Sequence, residues 1–198
     1  MSDSISGRPG APHSHAGDTS VGTIPGYLAG RWTADPAGSS ITFSIRQLIL
    51  TTVRGRFSRY DVVIVTGDDP RDSSVTATID LASIDTGNEK RDQHIRSVTF
   101  LDVENHPTVR YHSTGIRPTG DGWLVDGDLT MHGVTRQVPL TVMVSSFGPH
   151  VSGGQWARFS ATARVNRGEF GIDRWSGGGA VVSDKVPIRF EIEAVLNE

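Results

Sequence analysis

Apolar and polar residues alternate one by one through most of this sequence, and this period of two is the strongest constraint on its fold. The clearest run lies near the C-terminus, where four apolar residues alternate with three charged ones: Ile188, Phe190, Ile192 and Ala194 against Arg189, Glu191 and Glu193. Similar runs occupy residues 40–46, 52–66, 75–81, 109–113, 123–131, 138–144 and 158–166. Since successive side chains of a strand point to opposite faces, each run predicts a strand with one buried face.

Turn-forming residues separate these runs, which favours hairpins between neighbouring strands. The sequence therefore predicts an all-β fold, an extended antiparallel barrel of eight strands, with a two-sheet sandwich as the alternative. Gly55, inside the second run, predicts a bulge or a bend. Small residues on the apolar face would leave space inside a barrel, or would let two sheets approach in a sandwich: Ala77, Ala161, Ala163, Gly127 and Ser113.

Composition removes several classes of function. The formal net charge is −3, so no basic surface for nucleic acid or anionic lipid head groups is predicted. The chain has no cysteine, which excludes disulfides, thiolate metal sites and thiol catalysis. No run approaches about 18 apolar residues, so stable membrane insertion is not expected. No metal site is predicted either, because four histidines match no H-x-H or H-E-x-x-H spacing: His94, His106, His112 and His132.

The beginning of the chain differs in composition from the rest. Gly, Ser, Pro, Asp and Thr dominate residues 1–24, which offer little to bury and are predicted to form a disordered tail. A basic stretch followed by an apolar one is absent there, so no secretory signal is recognised and a cytoplasmic location is expected. Residues 25–198 then make up the barrel domain.

Residues 83–107 depart from strand alternation. They predict a short helical segment near residues 88–97, with Thr86 or Asn88 as the N-terminal cap. Three polar residues here are candidates for a gate or a head-group site at the end of the barrel: Arg91, Asp92 and His94. Trp175, in a later glycine-rich loop, is a further candidate for this site. The structural alternative is an Arg91–Asp92 pair that ties the helix to neighbouring turns.

Several motifs, in this order along the chain, resemble the YceI-like family of polyisoprenoid-binding, lipocalin-like proteins. They are RWTAD at 31–35 with SITF at 40–43, VRGRF at 53–57, SIDTGN at 83–88 with RDQHIRS at 91–97, GDLTMHGVT at 127–135, and NRGEFGI at 166–172. His106-Pro107 resembles the family's tyrosine-proline. Two positions depart from the family's pattern, since Ser39 and Gln47 stand where relatives usually carry histidine.

The resemblance implies a barrel whose apolar pore holds a long isoprenoid chain, of polyprenyl or isoprenoid-quinone type, for carriage or storage. It implies no metal, no other cofactor and no catalysis, and it suggests a homodimer. The candidate pore-lining residues lie on the apolar faces: Phe43, Ile45, Val53, Phe57, Phe100, Tyr111, Leu129, Val142, Phe159, Ala161 and Phe190.

Three alternatives stay open at this point. Close packing, as in most protein interiors, would let the apolar side chains fill the barrel and leave no pore. A small barrel enzyme acting on a hydrophobic substrate would use an acid/base residue within 84–106, such as Asp92 or His94. A plain interaction module would bind its partners through the outer face of the sheet.

Overall fold

The computed structural model describes residues 24–47, 51–150, 153–172 and 183–197. Within these residues it contains twelve strands and one α-helix. In chain order they are β1 (Gly30–Ala34), β2 (Ser40–Gln47), β3 (Thr51–Phe57), β4 (Tyr60–Thr66), β5 (Ser74–Asp80), β6 (Ile84–Asp85), α1 (Glu89–Arg96), β7 (Thr108–Pro118), β8 (Trp123–Met131), β9 (Val134–Gln137), β10 (Leu140–Pro149), β11 (Gln155–Asn166) and β12 (Lys185–Leu196). Short 3₁₀ turns follow β4, β5 and β11.

Eight antiparallel strands close into a ring, in the order β1, β4, β5, β7, β8, β10, β11 and β12. The ring closes because β12 pairs with β11 on one side and, through Ala194 and Leu196, with β1 on the other. The predicted eight-stranded barrel is therefore confirmed, and the sandwich alternative is wrong. Ring closure gives each of these eight strands a neighbour on both sides.

The hairpin of β2 and β3 continues the sheet beside the first half of β12. Phe43 of β2 pairs with Ile188, while β1 takes the second half of the same edge. The predicted strand 52–66 is in fact two strands, β3 and β4, which are separated by Ser58 and Arg59. Strand β3 pairs with β6 only through Arg56 and Phe57, so its first half extends beyond the ring.

Gly55 does not form the predicted bulge. Its pairing with Phe43 lies in a continuous register between β2 and β3. A Cβ atom at this position would collide with the Phe43 ring, so the glycine makes room for that aromatic side chain. The close approach of a ring, rather than a bend of the strand, explains why glycine occupies this site.

The small residues of the apolar face serve two different purposes. Ala77, Ala161 and Ala163 face the interior and leave space there. The space above Gly127 is instead filled by the Tyr111 ring, which a Cβ atom would strike. Ser113 is buried, and its hydroxyl accepts a hydrogen bond of 2.8 Å from the backbone N–H of Val75. Gly127 and Ser113 therefore do not leave the interior space that was predicted for them.

Aromatic packing marks one end of the barrel, which we call the Trp32 end. Trp32 is fully buried, and its indole N–H donates to Thr66 Oγ1 at 2.8 Å. The Phe147 ring stands edge-on to Trp32, Tyr27 and Phe159, with centroid distances of 5.3, 5.4 and 5.9 Å. The opposite end carries α1, the turn after it and the β8–β9 hairpin, and we call it the α1 end.

The predicted helix is confirmed, and its cap is Asn88. The side chain of Asn88 accepts a hydrogen bond from the backbone N–H of Arg91 at 3.0 Å, which satisfies one of the free donors of the first turn. Ile95 is buried against the barrel core. The helix is thus anchored through one apolar residue and through the polar contacts described below.

Candidate functional site

The interior of the barrel encloses a cavity of about 220 Å³. Its wall is built from the inward-facing residues of β2, β3, β4, β5, β7, β8, β10, β11 and β12. This volume is several times the roughly 30 Å³ that one water molecule occupies in the liquid. The alternative in which side chains fill the barrel completely is therefore wrong for this structure.

The cavity runs along the barrel axis. Tyr27 and Pro70 line it at the Trp32 end, whereas Leu101 and Ile172 line it at the α1 end. Strands β11 and β12 each have 12 residues, which corresponds to about 40 Å of strand at about 3.3 Å per residue. The shape suits a long and narrow apolar molecule better than a compact one.

Every predicted lining residue except Val53 lies on the cavity wall. Those on the wall are Phe43, Ile45, Phe57, Phe100, Tyr111, Leu129, Val142, Phe159, Ala161 and Phe190. Val53 does not line the cavity, because it lies in the first half of β3, where it is half-buried beside Ile45. Contact of the others with a ligand stays a prediction.

Sequence alternation would have found more of the wall than was predicted. Val62 and Ile64 of β4 and Val186 of β12 lie on it and follow the same period of two. Ile24 and Tyr27 also line the cavity, although Ile24 was predicted to be the last residue of a disordered tail. No strand pattern marks these two residues, because they lie in an irregular segment before β1. The rest of the predicted tail lies outside the described residues.

Polar groups of the lining residues are turned away from the cavity. The Tyr111 hydroxyl donates to the carbonyl of Val125 at 3.1 Å. Burial raises the pKa of this phenol, and the carboxylates of Asp126 and Asp128 add to the shift. The Thr66 hydroxyl donates to the carbonyl of Leu28 at 2.7 Å. With these groups already paired, the wall offers a ligand apolar surface, which the hydrophobic effect favours.

A second concavity, of about 1040 Å³, lies on the outer face of the sheet. Its walls include Arg54, Arg56, Arg164 and Arg189, which alternate with the inward-facing residues of their strands. Arg56 pairs with Asp85 at 2.9 Å, and Arg189 pairs with Glu191 at 2.7 Å. Although this outer groove is larger, it is more open to water and mixes polar with apolar surface, so the interior cavity is the better candidate for an apolar ligand.

Three of the predicted gate residues, Arg91, Asp92 and His94, do not line the cavity. Arg91 donates to Thr86 twice, from Nε to the side-chain oxygen at 2.7 Å and from Nη2 to the carbonyl at 2.8 Å. Asp92 is buried and accepts from the backbone N–H of Thr86 at 3.1 Å. Arg91 and Asp92 therefore both bind Thr86. These contacts take the place of the predicted direct Arg91–Asp92 pair. His94 is half-buried on the same helix, and Trp175 lies outside the described residues.

We expect Asp92→Ala to lower the free energy of unfolding by about 2 kcal/mol, because the half-buried Thr86 N–H loses a charged acceptor. Asp92→Asn keeps an acceptor oxygen and should lose less, and Gln93→Ala, an exposed change on the same helix, should be nearly neutral. Urea denaturation measures these differences. A gate role for Asp92 would instead appear as weaker ligand binding at unchanged stability.

Ser39, one of the two positions that depart from the family's histidines, lies away from the cavity wall. The Ser39 hydroxyl donates to the carbonyl of Glu193 at 3.1 Å and accepts from the Glu193 N–H at 3.0 Å. It therefore fastens the β1–β2 turn to β12. Gln47 is the last residue of β2 and pairs with Thr51 across the hairpin.

Two of the histidines considered for a metal do come together. His106 and His132, with Asp102, bring one ligand atom each to within 4.8 Å of one another, and all three are half-buried. Sequence spacing did not reveal this group because its members come from two separate turns.

Within the described residues, no helix has both the length and the apolar character to cross a bilayer.

Comparison with known proteins agrees with the architecture. The sequence model of the YceI-like domain matches residues 32–194. A UPF0312 protein of Vibrio cholerae is 36% identical over 140 residues, which cover 69% of this chain and 73% of that protein.

Two solved structures share the fold. BcnA of Burkholderia cenocepacia superimposes with a TM-score of 0.73 at 23% identity, over 82% of this chain and 99% of that one. A polyisoprenoid binding domain from Saccharophagus degradans gives a TM-score of 0.58 at 14% identity, over 86% and 100% of the two chains. Because the domain model matches most of the chain, this protein belongs to the YceI-like family.

Proposed function

We propose that this protein binds a long-chain isoprenoid lipid, of polyprenyl or isoprenoid-quinone type, in the interior of the barrel, for carriage or storage. The observation that carries the proposal is the apolar cavity that extends along the barrel axis from Tyr27 to Ile172. The similarity to a structure described as a polyisoprenoid binding domain supports it. Membership of the YceI-like family supports it as well, since the resemblance to this family implies a barrel with an apolar pore.

The chemistry of the wall accounts for how such a lipid would be held. Each buried methylene contributes about 0.8 kcal/mol, so about ten of them contribute roughly 8 kcal/mol before the costs of ordering and association. No polar side chain has to be placed with sub-ångström accuracy for this, which explains why the sequence shows no binding motif beyond the family's own. Small residues such as Ala161 and Ala163 leave room for the chain between larger neighbours.

Native mass spectrometry of protein purified without detergent tests the proposal, followed by organic extraction of whatever is bound. We expect an adduct whose fragments show isoprenoid repeats, and its mass identifies the head group. The same spectrum reports whether the proposed homodimer forms. A bare protein that stays bare after incubation with prenyl alcohols and prenyl quinones would contradict the proposal.

A further inference from the structure

We propose that Asp102, His106 and His132 form a binding site for a divalent first-row transition metal ion such as Zn²⁺, at the α1 end of the barrel. Their ligand atoms lie within 4.8 Å of one another. Two imidazoles and one carboxylate are a ligand set that suits zinc and its neighbours in the first row. The site does not depend on the bound lipid, so it can be tested apart from the proposed function.

One turn of chain supplies two of the ligands. The backbone N–H of His106 donates to the carbonyl of Asp102 at 2.8 Å, which closes a helix-like turn. Residues four apart in such a turn lie on the same side. Asp102 itself has φ +46, a left-handed conformation that residues other than glycine adopt at a cost.

The β8–β9 hairpin supplies the third ligand. Met131 pairs with Val134 across a two-residue turn, in which His132 has φ +52 and Gly133 has φ +74. Turns of this kind strongly favour Asn or Asp before the glycine. In the described part of the chain, Asp102 and His132 are the two residues other than glycine with positive φ, and both belong to this group.

The two imidazole rings already lie in contact, tilted against each other. Their centroids are 4.4 Å apart with an angle of 55° between the planes. A Cβ atom on Gly133 would lie 3.2 Å from Cε1 of His106, so the glycine lets this ring approach the hairpin closely. Half-buried rings at this distance need only small side-chain rotations to direct one nitrogen each at a shared ion.

The carboxylate keeps capacity for a metal. The Asn105 amide donates to both oxygens of Asp102, at 3.1 and 3.0 Å. Each carboxylate oxygen has two lone pairs, so these bonds leave acceptor sites free. An amide that holds a carboxylate in place also acts as outer-shell support of the kind seen around bound metals. Three protein ligands leave at least one coordination position for water or another oxygen donor.

The pair of histidines is a property of this chain and not of the family motif that it resembles. His106 stands where the motif has tyrosine, and His132 occupies an unspecified position in G-x-L-T-x-x-G-x-T. His106→Tyr therefore removes a ligand while restoring the aromatic residue expected at that position. This makes it a variant that should fold normally.

The test is calorimetric titration of the full chain with Zn²⁺, in a background of His13→Ser and His15→Ser, because these two histidines lie close together in the sequence and could bind zinc themselves. We expect one ion per chain with micromolar affinity, and visible absorption bands when Co²⁺ replaces Zn²⁺. His106→Tyr, His132→Asn and Asp102→Asn should each weaken binding by more than about 100-fold, since loss of outer-shell partners alone costs about 10- to 100-fold.

Asparagine is chosen at positions 102 and 132 because it tolerates the left-handed backbone. His112→Asn is the matched control, because His112 is exposed on β7 and outside the group.

Mg²⁺ and Ca²⁺ should not compete, since they prefer sites made of oxygen ligands. Zn²⁺ should also raise the melting temperature of the background protein and not that of His106→Tyr. Affinity that is unchanged in His106→Tyr and His132→Asn, or absent below millimolar zinc in the background protein, would overturn the site.

Discussion

Ala161→Trp is expected to abolish isoprenoid binding while the barrel stays folded. Ala161 lies on β11 between Val142 of β10 and Phe190 of β12, and all three line the cavity. An indole at this position would occupy the space that a lipid chain needs to pass along the axis. Because the side chain enters an existing cavity, it should cause less strain than the roughly 1–3 kcal/mol of an insertion into a packed core.

Displacement of an apolar fluorescent dye measures this effect, with the melting temperature as the control for folding. We expect affinity for a prenyl alcohol to fall by at least about 100-fold, which corresponds to about 2.7 kcal/mol. Ala161→Leu should give an intermediate loss. Thr162→Trp is the matched control, because the adjacent residue is exposed on the outer face and should leave binding unchanged. A folded Ala161→Trp protein that binds as the parent does would place the ligand elsewhere.

Arg167→Met is expected to be among the most destabilising single changes in the described part of the chain. Arg167 is 7% exposed, and its guanidinium donates to the carbonyls of Ile172 and Ser183 at 2.9 and 3.2 Å and to Asp184 at 2.9 Å. These partners flank residues 173–182, so one side chain joins the two ends of that segment. Methionine would keep the apolar stem but leave two carbonyls without a charged donor.

We expect the free energy of unfolding to fall by about 3 kcal/mol, from two carbonyl contacts of about 1.5 kcal/mol each. The Asp184 contact should add little, since that side chain is 70% exposed. For a domain of this size the melting temperature should fall by about 6–12 °C. Arg164→Met, three residues earlier on β11, is the control, because Arg164 is exposed and should lose almost nothing. Equal melting temperatures of the two variants would show that the Arg167 contacts do not stabilise the fold.

The backbone contacts of Arg167 could not be predicted from the motif in which this residue lies. The NRGEFGI phrase at 166–172 resembles the family's turn, and the structure shows why such a turn needs these residues. Gly171 has φ +73 and ends the 3₁₀ turn, while Phe170 is fully buried. The arginine then binds backbone on both sides of the following segment. The motif predicts the family, but it does not reveal these contacts.

Local alternation determined which residues face inward and which strands exist, because a strand repeats every two residues whatever it packs against. That is why the sequence alone predicted most of the cavity wall, from Phe43 to Phe190. It also predicted the helix and its cap, since capping needs only residues within one turn of each other. Alternation placed Val53 on the wall as well, but it does not line the cavity. A residue faces the interior only where its strand has neighbours on both sides, and this part of β3 does not pair with β6.

Only the tertiary structure decided what depends on residues far apart in the chain. Pairing of β1 with β12 closes the barrel, and no local pattern encodes a contact between Ala34 and Ala194. Whether a small residue leaves a cavity or receives a ring depends on its neighbour across the sheet, as Ala161 and Gly127 show. The meeting of His106 with His132 likewise arises because two turns lie side by side at one end of the barrel. A sequence specifies its strands locally, whereas their register and closure place such groups in space.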